Sequence, residues 1–194
     1  MTIEYSHPDH LVGPPPVGPV PLLPYAEKSL FFKVEHRLSQ LIATTMVMSS
    51  IMLGLLMAGQ VVMRYGLESP FLGIEELAPM LAVWAYFMGM VYATREQEHI
   101  SGGVVALLIK SPQVIRSIRL LGTVACLVAV CIFAYYAWEF AQFNLKLGRK
   151  SLYMRWPKSL WDFSMVTGFA LMGFYYCLQI IAQWRDLMMA HNKK

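Results

Sequence analysis

The chain has 194 residues, of which 57% are hydrophobic and 14% charged, with a formal net charge of +4 and a positive mean hydropathy. These values lie outside the range of soluble globular domains, and four long apolar stretches leave almost no length for a soluble catalytic domain. The excess positive charge falls in short loops and tails, where it sets topology and meets anionic lipid headgroups instead of nucleic acid.

The first 25 residues carry a proline run, Pro14, Pro15, Pro16, Pro19, Pro21 and Pro24, and no basic start followed by an apolar core. This reads as an extended, disordered tail and not as a signal peptide. From 26 to 40 the pattern changes, with Leu30, Phe31, Val34 and Leu38 on one helical face and Lys28, Lys33, Glu35, His36 and Arg37 mostly elsewhere. An amphipathic helix lying in the membrane surface is predicted here, with a partner-docking helix as the alternative.

Residues 41–190 form the expected four-helix transmembrane domain, with spans near 41–63, 77–94, 120–138 and 163–184, followed by a basic end over 191–194. The first span has no ionisable group, and Ser50, Gly54 and Ala58 make a line of small residues at intervals of four. Arg64 and Tyr65 mark the interface, Ser69, Pro70 and Gly73 break the chain, and Glu75 and Glu76 open the second helix. Carboxylates in a first turn are favoured by the helix dipole, which competes with a partner or lipid contact as their reason, and Pro79 is early enough to be tolerated. Along that helix Ala78, Ala82, Ala85, Gly89 and Ala93 recur at steps of three and four beside Trp84, a strip that lets another helix approach closely or that merely faces lipid.

Ser101, Gly102 and Gly103 interrupt the next connection. Ser111 followed by Pro112 is a good helix start, so the third helix is predicted to begin below the membrane and to be unusually long, with Arg116 and Arg119 reaching back to water. Trp138 and Glu139 leave the lipid together in this reading, with Phe140 to Phe143 able to continue the helix beyond it. The loop that follows is strongly basic through Lys146, Arg149, Lys150, Arg155 and Lys158, and Trp156, Trp161 and Trp184 suit the interfaces around the last span. Cys126, Cys131 and Cys177 make no metal-ligand spacing and read as buried small hydrophobes.

Four spans place both ends on one side. Putting that side in the cytoplasm gives ten Lys and Arg inside against six outside, five of the six in the third loop, so the positive-inside rule favours cytoplasmic termini modestly. The basic third loop is the exception, explained either by lipid headgroups or by an acidic soluble partner. The middle of every span lacks Asp, Glu, Lys, Arg and His, and Glu139, at a helix end in this reading, does not supply what an embedded carboxylate would. A carrier, a haem anchor and an exporter each need such groups, and no nucleophile, base or metal constellation points to an enzyme.

The order Arg64-Tyr65, Ser69-Pro70, Glu75-Glu76-Leu77-Ala78, Val83-Trp84, Phe87, Gly89, Tyr92-Ala93 and Glu98-His99-Ile100, with Pro157 and Trp161 before the last span, resembles the small membrane subunit (DctQ type) of TRAP (tripartite ATP-independent periplasmic) transporters. Two stretches depart from that pattern, Ser101-Gly102-Gly103 and the proline-rich tail. The resemblance implies a bacterial inner-membrane protein paired with a large membrane subunit and a periplasmic substrate-binding protein. It implies no cofactor in this chain, with the coupling sodium in the large subunit. It further implies a brace for an elevator-type partner taking up an organic anion, a carboxylate or sulfonate, and a docking surface at Lys146, Arg149, Lys150 and Arg155. A stand-alone four-helix scaffold and a small homo-oligomeric carrier are the competing classes.

Overall fold

The computed structural model describes residues 30–69, 72–96 and 112–191. The proline-rich tail, Pro70, Glu98, His99, the Ser101-Gly102-Gly103 break and the last basic residues lie outside them. Four helices make up the fold: α1 (Leu30–Tyr65), α2 (Ile74–Arg95), α3 (Pro112–Lys146) and α4 (Ser159–His191). Each is long and apolar enough to cross a membrane. At 1.5 Å per residue, α2 is about 33 Å long, close to the thickness of a bilayer core, whereas α1, α3 and α4 are each about 50 Å or more and project beyond one. The third helix starts at Pro112 and runs for 35 residues, the long helix that the Ser-Pro start predicts.

One boundary differs from the sequence reading. Residues 30–40 do not form a separate helix: they are continuous with the first span, in one helix of 36 residues. Glu35, read as facing away from the apolar side, is 6% exposed and accepts a hydrogen bond from Arg95 Nε of α2 at 2.8 Å. That ion pair ties the start of α1 against the end of α2.

The main helix contacts run from α1 to α2, from α2 to α4 and from α4 to α3, which sets the lateral order α1, α2, α4, α3. The shared core lies along α2 and α4, where Met88, Val91, Met172, Tyr175 and Tyr176 are buried and Ile42 joins them from α1. Trp84, Met46, Cys126 and Phe169 pack around that cluster. Hydropathy alone does not choose neighbours in lipid, so steric fit and polar pairing decide the order. Fit is tightest where α2 meets α4: a Cβ on Gly168 would stand 2.7 Å from Phe87 Cδ1 and 2.8 Å from Phe87 Cβ, so only glycine admits the phenylalanine. Phe87 and Phe169 meet edge to face at 5.4 Å.

Polar pairs fasten each neighbouring set. Gln179 Nε2 donates to the Thr94 carbonyl between α4 and α2. Between α3 and α4, Asn144 Nδ2 donates to Asp162 Oδ2 at 3.0 Å, the Thr123 hydroxyl lies 3.1 Å from Gln183 Oε1, and Arg116 Nε lies 3.1 Å from Asp186 Oδ2. In an apolar setting each such group is costly to leave unpaired, so these contacts fix register as well as adjacency. Cys126 is half-buried, but Cys131 and Cys177 are exposed and not buried as expected; their thiols are apolar enough to face lipid.

Candidate functional site

At the end of the bundle that carries the α1–α2 and α3–α4 connections, the segment from Leu147 to Lys158 folds back on itself. Gly148, with φ of +58°, ends α3 in the left-handed conformation that glycine adopts without strain. The Lys158 amide donates to the Arg149 carbonyl at 3.0 Å and the Ser151 amide to the Trp156 carbonyl at 2.8 Å, with Lys150 and Pro157 forming an antiparallel bridge. The result is a hairpin whose tip is Leu152 to Arg155. Arg155 has φ of +54°, an uncommon conformation for a residue with a side chain.

What holds this hairpin is Glu76. One carboxylate oxygen accepts from the Ser151 hydroxyl at 2.7 Å and from the Met154 amide at 3.0 Å, and the other accepts from the Tyr153 amide at 2.8 Å. Ser151 is buried and its oxygen also accepts from the Trp156 amide at 3.2 Å. An ionised carboxylate that receives three hydrogen bonds binds more strongly than a neutral acceptor would. From sequence, Glu75 and Glu76 look alike, two first-turn carboxylates favoured by the helix dipole. In the structure Glu75 is exposed and Glu76 is turned to the hairpin.

Because backbone amides and a hydroxyl satisfy Glu76, the hairpin's cations remain outward. Lys146, Arg149, Lys150, Arg155 and Lys158 are exposed, and none is in an ion pair among the described residues. Leu152, 84% exposed, and Tyr153 stand among them. Arg64, also exposed, lies at the same end with its guanidinium carbon 5.8 Å from the Tyr65 ring centroid.

The small-residue strips part company. On α2, Ala78 is buried, Ala82, Ala85, Gly89 and Ala93 are half-buried, and a Cβ on Gly89 would meet Met46 Sδ of α1 at 3.5 Å. On α1, Ser50, Gly54 and Ala58 are exposed, and a Cβ on Gly54 would meet nothing within 4 Å. The Ser50 hydroxyl turns back to the Met46 carbonyl at 2.8 Å. Among the described residues no other helix covers that line, and α1 turns Ile42 and Met46 toward α2 instead.

Two residues carry more than their sequence context discloses. Gly168 is one, since a lone glycine in an apolar span gives no sign of what approaches it. Glu139 is the other: α3 continues past it through Phe140 to Phe143, as expected, and on to Lys146, and it lines a groove between α3 and α4 that sequence does not show. Among the described residues no group of three or more His, Cys, Asp or Glu side chains could hold a metal ion.

A comparison with curated proteins gives no match. A family model does match, over residues 38–186, which includes the second and third helices and most of the first and fourth, and it describes the DctQ component of tripartite ATP-independent periplasmic transporters. The chain is multi-pass and helical, with polar pairs between neighbouring helices and a basic hairpin anchored by a carboxylate of the second helix. The chain belongs to the DctQ family and is a small membrane component of a TRAP transporter.

Proposed function

We propose that this chain is the non-transporting brace of its transporter, lying against the large elevator-type subunit in the bacterial inner membrane with both termini in the cytoplasm. In that orientation the basic hairpin faces the periplasm and receives the substrate-binding protein. The transported organic anion, a carboxylate or sulfonate, and the coupling sodium bind in the large subunit. The observation that carries this reading is the hairpin: Arg149, Lys150, Arg155 and Lys158, with Lys146 at the end of α3 beside them, are exposed and without an ion pair among the described residues, on a loop that Glu76 holds by hydrogen bonds. Positive charge fixed on a rigid support favours an acidic protein surface and speeds encounter with it. The interior polar groups support a brace, because Glu35, Arg95, Asn144, Asp162, Thr123 and Gln183 are engaged between helices.

Reversing Arg149, Lys150 and Arg155 to Glu in the assembled transporter tests the docking role. Binding of the soluble component is expected to weaken more than about tenfold and to lose most of its salt dependence. Unchanged affinity with an intact membrane complex would rule the hairpin out. Transport by the purified chain alone in liposomes would favour the homo-oligomeric carrier.

A further inference from the structure

The charge-free run of α3 ends at Trp138, but the helix continues to Lys146. Glu139 therefore lies seven residues, about 10 Å, inside the helix end, and about 7.5 Å inward of Asn144, which is itself paired with Asp162. It is exposed. Around it is a groove of about 640 Å³ between α3 and α4, lined by Phe133, Tyr136, Phe140 and Phe143 on one side and Met165 and Phe169 on the other. From Phe143 to Phe133 this groove descends about 15 Å along α3. Phe133 and Phe169 stack at 5.8 Å and form its floor. Glu139 is the charged residue of this lining, and among the described residues no hydrogen bond or ion pair holds it.

A carboxylate covered by a partner in this aromatic groove is costly to desolvate unless something donates to it. Between α3 and α4, Asp162 accepts from Asn144 and Asp186 is ion-paired with Arg116; between α1 and α2, Glu35 accepts from Arg95. An acyl chain would satisfy the aromatic rings and leave the carboxylate without a partner. A transmembrane helix that fills the groove with aliphatic side chains and brings one cation or strong donor to mid-groove satisfies both. We infer that the α3–α4 groove is the seat of a helix of the large membrane subunit, with Glu139 accepting from an Arg or Lys side chain of that helix. The inference rests on the proposed brace role and adds which face of the chain makes the contact.

The test uses this chain co-expressed with its large subunit. A photo-cross-linking amino acid replaces Phe140 in one variant and Leu55, on the exposed face of α1, in another. An adduct of the two subunits is expected from position 140 and not from position 55. Adducts with lipid alone at 140, or a subunit adduct at 55 only, would overturn the assignment. Glu139→Lys is expected to lower copurification of the large subunit more than about tenfold, while Glu139→Gln, which keeps an acceptor, lowers it less. Full copurification of a Glu139→Lys variant that melts like the unmodified chain would also overturn it. If the unmodified chain copurifies no large subunit, the brace reading itself fails, and this inference with it.

Discussion

Glu76 Oε2 lies 2.7 Å from the Ser151 hydroxyl, 75 positions away in the chain. This contact joins the first turn of α2 to a hairpin between α3 and α4, so two helices that are not sequence neighbours share one fixed end. It turns a basic loop, which in isolation would be a solvated connection, into a surface of defined shape.

Glu76→Gln removes the charge and one acceptor while keeping size. The amides of Tyr153 and Met154 are expected to exchange hydrogen at least about tenfold faster, with no change in the amides along the middle of α4. Hydrogen exchange by mass spectrometry on the reconstituted chain checks this. Equal protection in both proteins would show that the hairpin is held by its own bridge.

Gly168→Ala inserts a Cβ into space taken by Phe87. Overpacking of this kind costs about 1–3 kcal/mol, read as a lower unfolding midpoint in detergent. Adding Phe87→Ala to the Gly168→Ala variant is expected to recover part of the loss, since the second change removes the atoms that clash. A double variant no more stable than Gly168→Ala would argue against the contact.

Arg95 and Glu35 should show strong coupling. Replacing either by Met leaves its partner without its ionic contact, at a cost of about 1–3 kcal/mol, moderated because Arg95 is one quarter exposed and also meets Glu96. The double replacement is expected to be less destabilising than the sum of the two, because a matched apolar pair has no desolvation cost. Additive losses in a thermal-melt cycle would mean that the two residues act independently.

The two glycine strips predict opposite responses in the isolated chain. Gly89→Leu must displace Met46 and is expected to destabilise the fold by about 1–3 kcal/mol. Gly54→Leu meets open space and should change stability by less than about 0.5 kcal/mol. Comparable melting losses for both variants would contradict the placement of α1 against α2.

Several features of this protein are set by local sequence. The number of spans follows from apolar run length, since a bilayer core demands about 20 such residues wherever they occur. The start of α3 at Pro112 follows from Ser111 and proline's fixed φ and missing amide hydrogen. The family is legible too, in the order of Arg64, Glu75-Glu76, Trp84 and Gly89. What sequence left open was decided by pairing across long separations. Lys28, Lys33 and Arg37 made the start of α1 look like a surface helix, and only the position of Arg95 shows why Glu35 can be buried there. Glu76 and Glu75 are equivalent to a helix dipole, and only the returning hairpin separates them. The continuation of α3 past Glu139 was legible in Phe140 to Phe143, whereas the groove that Glu139 lines with Met165 and Phe169 of α4 is formed only by packing. In lipid the helices share one apolar character on all sides, so the order α1, α2, α4, α3 is written in a few contacts, Phe87 with Gly168 and Gln179 with Thr94 among them, and these exist only once the chain has folded.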